Sequence, residues 1–341
     1  MNVAVLVDRG NASRRDPQMR TARNLSEESQ VDRAVVEALR GNRHAVTVVP
    51  FEGDVLAALD RLRPDVVFNL TEWLHADRRR AGDIPTLLEA LGLRYTGAGQ
   101  IGQVLSADKA VSKLIVRELG ITVPDFEVLP VGRTSLTRAF AFPALIKPRY
   151  GEGSEGITLR SLARSPADVA RIARRVHEQF GQAAICEEFI DGRELSVGLL
   201  GNHPLTVLPA RETVYGRWRP NRPRFNTLRV KSSPAFREKF RIATERVRLP
   251  ATAAERLAAD CKRIFRALEL RDYGRIDWRQ AADGRIVFIE ANSNCELKPS
   301  SFGLMAAWAG ITYAEVIERI VQQSRRRRCD RVRHRDSRPL F

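Results

Sequence analysis

The stretch Tyr273-Gly-Arg-Ile-Asp-Trp-Arg-Gln-Ala-Ala-Asp-Gly-Arg-Ile-Val-Phe-Ile-Glu-Ala-Asn292 reads as a β-hairpin. Two apolar-rich runs, Tyr273 to Trp278 and Arg285 to Glu290, flank the turn pair Asp283-Gly284. Residues two apart in a strand face the same side, so Glu290 and Asn292 share a face. Cross-strand pairing can bring Asp277 onto it. Two carboxylates and an amide oxygen are hard donors of the kind that suits Mg²⁺ beside substrate phosphates. The same hairpin also reads as a plain charge cluster, with Arg275 and Arg279 as partners of the acids.

The N-terminal third alternates strand and helix. Val3 to Val7, Ala45 to Val49 and Asp65 to Asn69 are short apolar strands; Val31 to Leu39, Val55 to Leu62 and Ile84 to Leu91 have helical spacing. That order predicts an α/β start, a small doubly wound sheet with ligands beyond its strand ends, near Asp8 to Ser13 and Asn69 to Trp73. From Asp108 the pattern changes to α+β. Lys109 to Leu119 is a helix, Phe126 to Leu129 and Ala144 to Lys147 are strands, and Ser165 caps a helix running to Phe180. Strands follow at Ala184 to Phe189 and Glu194 to Leu200. Arg211 to Arg248 is polar and weakly patterned, which predicts a functional loop rather than regular structure. A helix over Ala254 to Leu268 precedes the hairpin, and short helices near Phe302 to Ala309 and Tyr313 to Gln323 close the chain.

Three further groups carry chemistry. Lys147 ends an apolar strand and leads into Gly151-Glu-Gly-Ser-Glu-Gly156, a loop whose backbone can wrap an anion or merely turn a hairpin. Lysine is rare here: of 57 basic residues only seven are Lys, so Lys109, Lys147 and Lys231 stand out as compact charges suited to phosphate oxygens. Glu187-Glu-Phe-Ile190, with Glu194 beyond it, is either an acidic strand edge or a reader of an adenine edge and ribose hydroxyls.

Length and composition bound the rest. The 341 residues predict two or three domains, and no apolar run reaches the ~20 residues of a membrane helix. Cys186, Cys261, Cys295 and Cys329 form no CxxC pair and the histidines no HExxH, which argues against zinc chemistry. The N-terminus lacks a signal-peptide pattern, so a cytoplasmic protein is expected. The net charge of +16 invites a nucleic-acid reading, but only Arg325 to Phe341, with eight Arg against two Asp, concentrates it.

Taken together, Leu88 to Gly97, Asp108-Lys109, Ile146-Lys-Pro148, Gly153 to Ile157, Glu187 to Val197, Arg275-Ile-Asp277 and Glu290-Ala-Asn292 resemble the ATP-grasp superfamily, and within it the D-alanine–D-alanine ligases and their close relatives. The resemblance runs from about Val3 to Val321. It implies an N-terminal domain over 1–102, two ATP-grasp subdomains over 103–190 and 191–323, and a basic, disordered tail over 324–341. It implies that Lys109, Lys147, Gly153, Ser154 and Lys231 contact ATP phosphates, that Glu187, Glu188, Phe189 and Ile190 frame adenine, and that Glu194 takes ribose. Asp277, Glu290 and Asn292 would hold two Mg²⁺ (or Mn²⁺), Arg275 would face the oxyanion, and Glu28, Ser301, Glu296 and Lys298 would line the amino-acid sites. The implied activity joins a carboxylate to an amine through an acylphosphate, with D-alanine the leading substrate, other amino acids of secondary metabolism the alternative, and a homodimer as the assembly. Arg211 to Arg248 would fold over the site as a lid. Three substrate-side positions depart from the ligase pattern: Gly153 stands for Ser, Ser232 for Tyr, and Glu296 for the Gly whose N–H faces the oxyanion.

Overall fold

Alternation builds the first sheet. In β1 (Asn2–Val7), Val3, Val5 and Val7 face one way and Ala4 and Leu6 the other, and none is more than 1% exposed, the signature of a strand covered on both faces. In the computed structural model β1 lies between β2 (Ala45–Pro50) and β3 (Val66–Asn69), parallel to both. Helix Ala22–Gly41 sets Val31, Val35 and Leu39 against the odd face; helices Val55–Leu62 and Asp83–Ala90 set Leu59 and Leu88 against the even face. This is the doubly wound sheet that the strand–helix order predicts. The structure describes residues 1–7, 22–51, 54–71, 78–151, 153–218 and 223–327, with backbone alone at 22–29, 78 and 232. The expected ligand loop Asp8 to Ser13, Trp73, and the tail from 328 lie outside the described residues.

The second sheet is antiparallel. It contains β4 (Phe126–Leu129), β5 (Ala144–Pro148), β6 (Leu162–Ala163) and β7 (Ala184–Glu188), in the order β4-β7-β5-β6. Helix Pro166–Phe180 covers it with Val169, Ile172, Ala173 and Val176, one helical stripe. Ser165 caps that helix by accepting from the Asp168 amide at 3.2 Å.

The third sheet contains β8 (Gly192–Leu200), β9 (Thr206–Val207), β10 (Arg211–Tyr215), β11 (Ile242–Arg246), β12 (Tyr273–Ala281) and β13 (Ile286–Asn292). The order is β11-β10-β8-β12-β13, with the short β9 also on β8. Leu195, Val197, Leu199, Ile276 and Trp278 point into a core closed by helices Lys109–Glu118 and Ala251–Ala267. The period of two then leaves Glu194, Ser196, Arg275, Asp277 and Arg279 on the opposite face, and that face carries the candidate site.

The structure departs from the sequence reading in four places. Helix Gln100–Ala107 was not foreseen. Arg211 to Arg248 is not structureless: it holds β10, β11 and the short helices Leu228–Ser232 and Pro234–Lys239. Trp218, Val230 and Ile242, with Tyr215, Phe236 and Phe240, form a separate small core there, from aromatics too irregularly spaced to show a period. Pro299–Gly303 is a single π-helical turn before Leu304–Ala307, where one ordinary helix was expected. The basic tail begins later than 324, because helix Tyr313–Arg326 continues past it and Arg327 is fixed by Gly97 O at 3.1 Å, Asp272 Oδ2 at 2.9 Å and the Tyr95 carbonyl.

The first and last parts of the chain share one core. Val3, Val5 and Phe68 pack with Leu200, Tyr273, Phe302, Met305 and Ile320. Gly97 sits at the seam with φ +89, and an added Cβ would lie 2.3 Å from Asn294 Oδ1. That oxygen accepts from the Ala98 amide at 3.0 Å, so the N-terminal unit is pinned to the segment just after β13.

Candidate active site

The hairpin register delivers the acids. Asp277 lies directly opposite Glu290, and Arg275 opposite Asn292. Arg275 grips Asp277 with two bonds, Nε to Oδ1 and a terminal nitrogen to Oδ2, both 2.9 Å. Asn292 Nδ2 donates to the same Oδ2 at 3.1 Å, and its amide oxygen has no partner among the described residues. Burial works against the Asp277 carboxylate, but Arg275 outweighs it and holds the group below the usual range. Glu290 is also held below the usual range: burial is overcome by Lys109, Lys147, Lys231 and Arg275.

Lysines surround these acids from three elements. Lys109, at the start of helix Lys109–Glu118, lies 3.4 Å from Glu290 and donates to the Gly151 carbonyl. Asp108 caps that helix through the Ala110 amide at 3.0 Å and binds Arg149 at 2.6 Å. Lys147, at the end of β5, meets Glu187 at 2.8 Å; burial pushes its amine down, yet Glu187 and Glu290 hold it above the ordinary value. The ammonium of Lys231, on the short helix Leu228–Ser232, has no hydrogen-bond or ion-pair partner among the described residues. Burial and then Arg275 lower its pKa, while Glu290, Asp277 and Glu194 oppose that shift, so the amine lies within electrostatic reach of the same acids.

Glu187 is 2% exposed and wedged between two lysines, Lys113 on one oxygen and Lys147 on the other, each at 2.8 Å. Glu188 points the other way, to the Asp125 amide at 3.4 Å. The Phe189 amide donates to the Pro143 carbonyl, its ring meets Phe225 edge-on at 5.6 Å, and Ile190 is buried. Glu194 accepts from Asn226 through the backbone amide (2.9 Å) and the side chain (2.5 Å), and Arg279 stands 3.4 Å away.

The glycine-rich loop is held in place by the segment above it. Gly153, Ser154 and Gly156 all have left-handed φ, +59, +66 and +69. At Gly156 only glycine fits, because a Cβ would stand 2.9 Å from the Phe180 ring. Ser154 Oγ donates to the Asn226 carbonyl at 2.7 Å. Asn226 therefore ties the 211–248 segment to both halves of the cleft, to Ser154 on one side and Glu194 on the other.

A family model described as the D-ala D-ala ligase C-terminus matches residues 115–322. The chain belongs to that family. It is 31% identical to the uncharacterized protein y4sG of Sinorhizobium fredii over 86% of this chain and 87% of the relative. It is 28% identical to the D-alanine–D-alanine ligases of Gluconobacter oxydans (85% of this chain, 92% of the relative) and Aquifex aeolicus (94% and 100%). A crystal structure of the D-alanine–D-alanine ligase of Bacillus anthracis complexed with ATP has the same fold, with TM-score 0.71 at 18% identity over 95% of this chain and 97% of that one.

Within this ligase-family fold the predicted residues divide. Lys109, Lys147, Lys231, Arg275, Asp277, Glu290 and Asn292 converge, and Ser154 and Glu194 meet at Asn226. Ser301 sits half-buried in the π-helical turn, and Glu296 is exposed and paired with Lys298 at 3.0 Å. Glu28 belongs to helix Ala22–Gly41, but its side chain lies outside the described residues. Among the described residues no three His, Cys, Asp or Glu side chains converge on one metal position, so the oxygen donors of the hairpin are two carboxylates and an amide. No helix there is long and apolar enough to cross a membrane.

Sequence reasoning missed Lys113, Arg211 and Asn226, and treated Arg279 only as a charge partner. Lys113 had a signal: it is four residues after Lys109, hence on the same helical face, and it is one of only seven lysines. It is fully buried, donates to the Ile289 carbonyl at 2.6 Å, and burial pushes its pKa down to about 8.

Proposed function

We propose that this chain is an ATP-dependent carboxylate–amine ligase of the D-alanine–D-alanine ligase type. The observation that carries the reading is the convergence of Lys109, Lys147, Lys231 and Arg275 on Asp277, Glu290 and Asn292, beneath a segment latched by Asn226. Such a set suits phosphoryl transfer, where positioning and charge neutralisation do most of the work. Lys109, Lys147 and Lys231 bind and orient the triphosphate. A substrate carboxylate oxygen attacks the γ-phosphorus, the bond to ADP breaks, and an acylphosphate forms. The amine of the second substrate then attacks the acyl carbon, phosphate departs, and an amide remains. Arg275, already oriented by Asp277, donates to the oxygen that gains charge in the tetrahedral adduct. The latched segment keeps water from the acylphosphate.

Asp277, Glu290 and Asn292 are the residues that would hold Mg²⁺ (or Mn²⁺). The donor set fits: both acids stay ionised despite burial, and Asn292 turns its oxygen away from Asp277. When bound, the metal supplies charge neutralisation on the phosphoryl oxygens. Glu187, Phe189 and Ile190 would border adenine, and Glu194 would take ribose with Asn226 beside it. Ile101, Val104 and Leu114, exposed on neighbouring helices, support the dimer by offering apolar surface to a second copy.

D-alanine is the first substrate to test for both positions. One observation favours a different amino acid: where ligases have Ser and Gly, this chain has Gly153 at φ +59 and Glu296 paired with Lys298, which changes the polar groups at the substrate end. Phosphate release and ADP formation across a panel of D- and L-amino acids, with Asp277→Ala as the inactive control, tests both readings. Turnover with D-alanine alone supports the first, and turnover only with another amino acid supports the second. No ADP with any acceptor overturns the ligase assignment.

A further inference from the structure

Arg211 lies in a cross-strand row that the sequence does not advertise. In the register, Arg211 of β10 faces Ser196 of β8, Ser196 faces Asp277 of β12, and Asp277 faces Glu290 of β13. Residues directly opposite one another in a sheet share a face, so Arg211 projects on the face that carries the acids. Ser196 between them is small, so the long Arg211 side chain can extend over it toward Arg275 and Asp277. Among the described residues the Arg211 side chain makes no hydrogen bond or ion pair, although its Nε is sealed from solvent. A buried guanidinium nitrogen without a partner is costly unless a ligand supplies one.

The charge balance identifies that ligand. Lys113 and Lys147 share the single charge of Glu187, and Arg279 neutralises Glu194. Four further cations, Lys109, Lys231, Arg211 and Arg275, then face only two carboxylates, Asp277 and Glu290. Burial and the nearby Arg275 both work against the charged form of Arg211, so the cleft is short of negative charge at that point. We infer that Arg211 is a further phosphate-binding residue of the nucleotide site, contacting the terminal phosphoryl group from the β10 side. This rests on the ligase reading, and it assigns to the transferred group a cation beyond the three lysines and Arg275. The planar fork of arginine holds two phosphoryl oxygens in one fixed geometry, where lysine acts as a point charge.

The test is calorimetric titration of the full chain with AMP, ADP and a non-hydrolysable ATP analogue, for the unaltered protein, Arg211→Met and Arg211→Lys. A charge-assisted contact of the usual strength predicts that Arg211→Met weakens the triphosphate analogue about 10- to 100-fold. ADP should lose less than about threefold and AMP nothing, with Arg211→Lys between the unaltered protein and Arg211→Met. Equal losses for all three nucleotides, or none for the triphosphate, overturn the assignment of Arg211 and leave the ligase reading standing. Failure of the unaltered protein to bind any nucleotide overturns both. Should Arg211→Met not fold, Arg211→Lys carries the test alone: a loss confined to the triphosphate supports the contact, and no selective loss refutes it.

Discussion

Replacing Glu187 by Gln removes the charge between two buried lysines while keeping the shape. Glu187 is 2% exposed, Lys147 2% and Lys113 0%, so none of the three can turn to water. Lys113 would keep the Ile289 carbonyl at 2.6 Å, but Lys147 has no other hydrogen-bond or ion-pair partner among the described residues. Breaking a buried ion pair by deleting one member costs about 3–5 kcal/mol, because the survivor is left charged in a poor solvent. At ~2–4 °C per kcal/mol, Tm should fall by on the order of 10 °C. Chemical denaturation and thermal melts of the purified variant measure this directly. The diagnostic is the double variant Glu187→Gln with Lys113→Met, which removes one of the two orphaned charges and should recover a third or more of the loss. If Glu187→Gln costs under 1 kcal/mol, or if the double variant is no more stable than the single, then the lysines are not held by Glu187 and the electrostatic account of this wall of the cleft is wrong.

Two further expectations follow from the lysines. Lys113 has a folded pKa near 8, below its ordinary value of 10.5. Between those pH values the unfolded chain holds the proton and the folded chain has released it. The stability of the unaltered protein relative to Lys113→Met should therefore be flat from pH 6 to 8 and rise from about pH 8 to about 10.5, by at most ~1.4 kcal/mol per pH unit. A difference that is flat or falling across the upper window refutes it. Lys147→Ala should raise the KM for ATP and lower kcat by tenfold or more, whereas Lys262→Ala, exposed on helix Ala251–Ala267, should change neither by more than about twofold. Steady-state kinetics showing equal effects would remove Lys147 from the phosphate site.

Much of the architecture was legible because its causes are local. The Ser165 cap with Pro166 at the first helical position, the Asp283-Gly284 turn and the apolar run Val3 to Val7 each carry their own signal within a few residues. The hairpin itself was readable from its turn, but the meeting of Asp277 with Glu290 needs a bulge: Trp278 pairs with Phe288 and Asp277 with Glu290, so the extra residue Ile289 turns Glu290 onto the Asp277 face. The 211–248 segment was illegible for the opposite reason. Its strands are charged and lie at or near a sheet edge, and its helices are one turn long. They persist because Trp218 and its aromatic neighbours pack together across the segment.

Residue spacing along the chain was enough for most of the strands and helices, for the shared face of Glu290 and Asn292, and for the short list of lysines worth watching, because spacing sets the face on which each side chain of a regular element emerges. Three relations came from the folded chain alone: Glu187 is shared by Lys113 and Lys147, Asn226 bridges Ser154 and Glu194, and Arg211 stands in line with Asp277. Each of these depends on the register between strands, or the docking of helices, far apart in sequence. Such alignment is fixed by the packing of whole faces against a common core, so no local pattern encodes it.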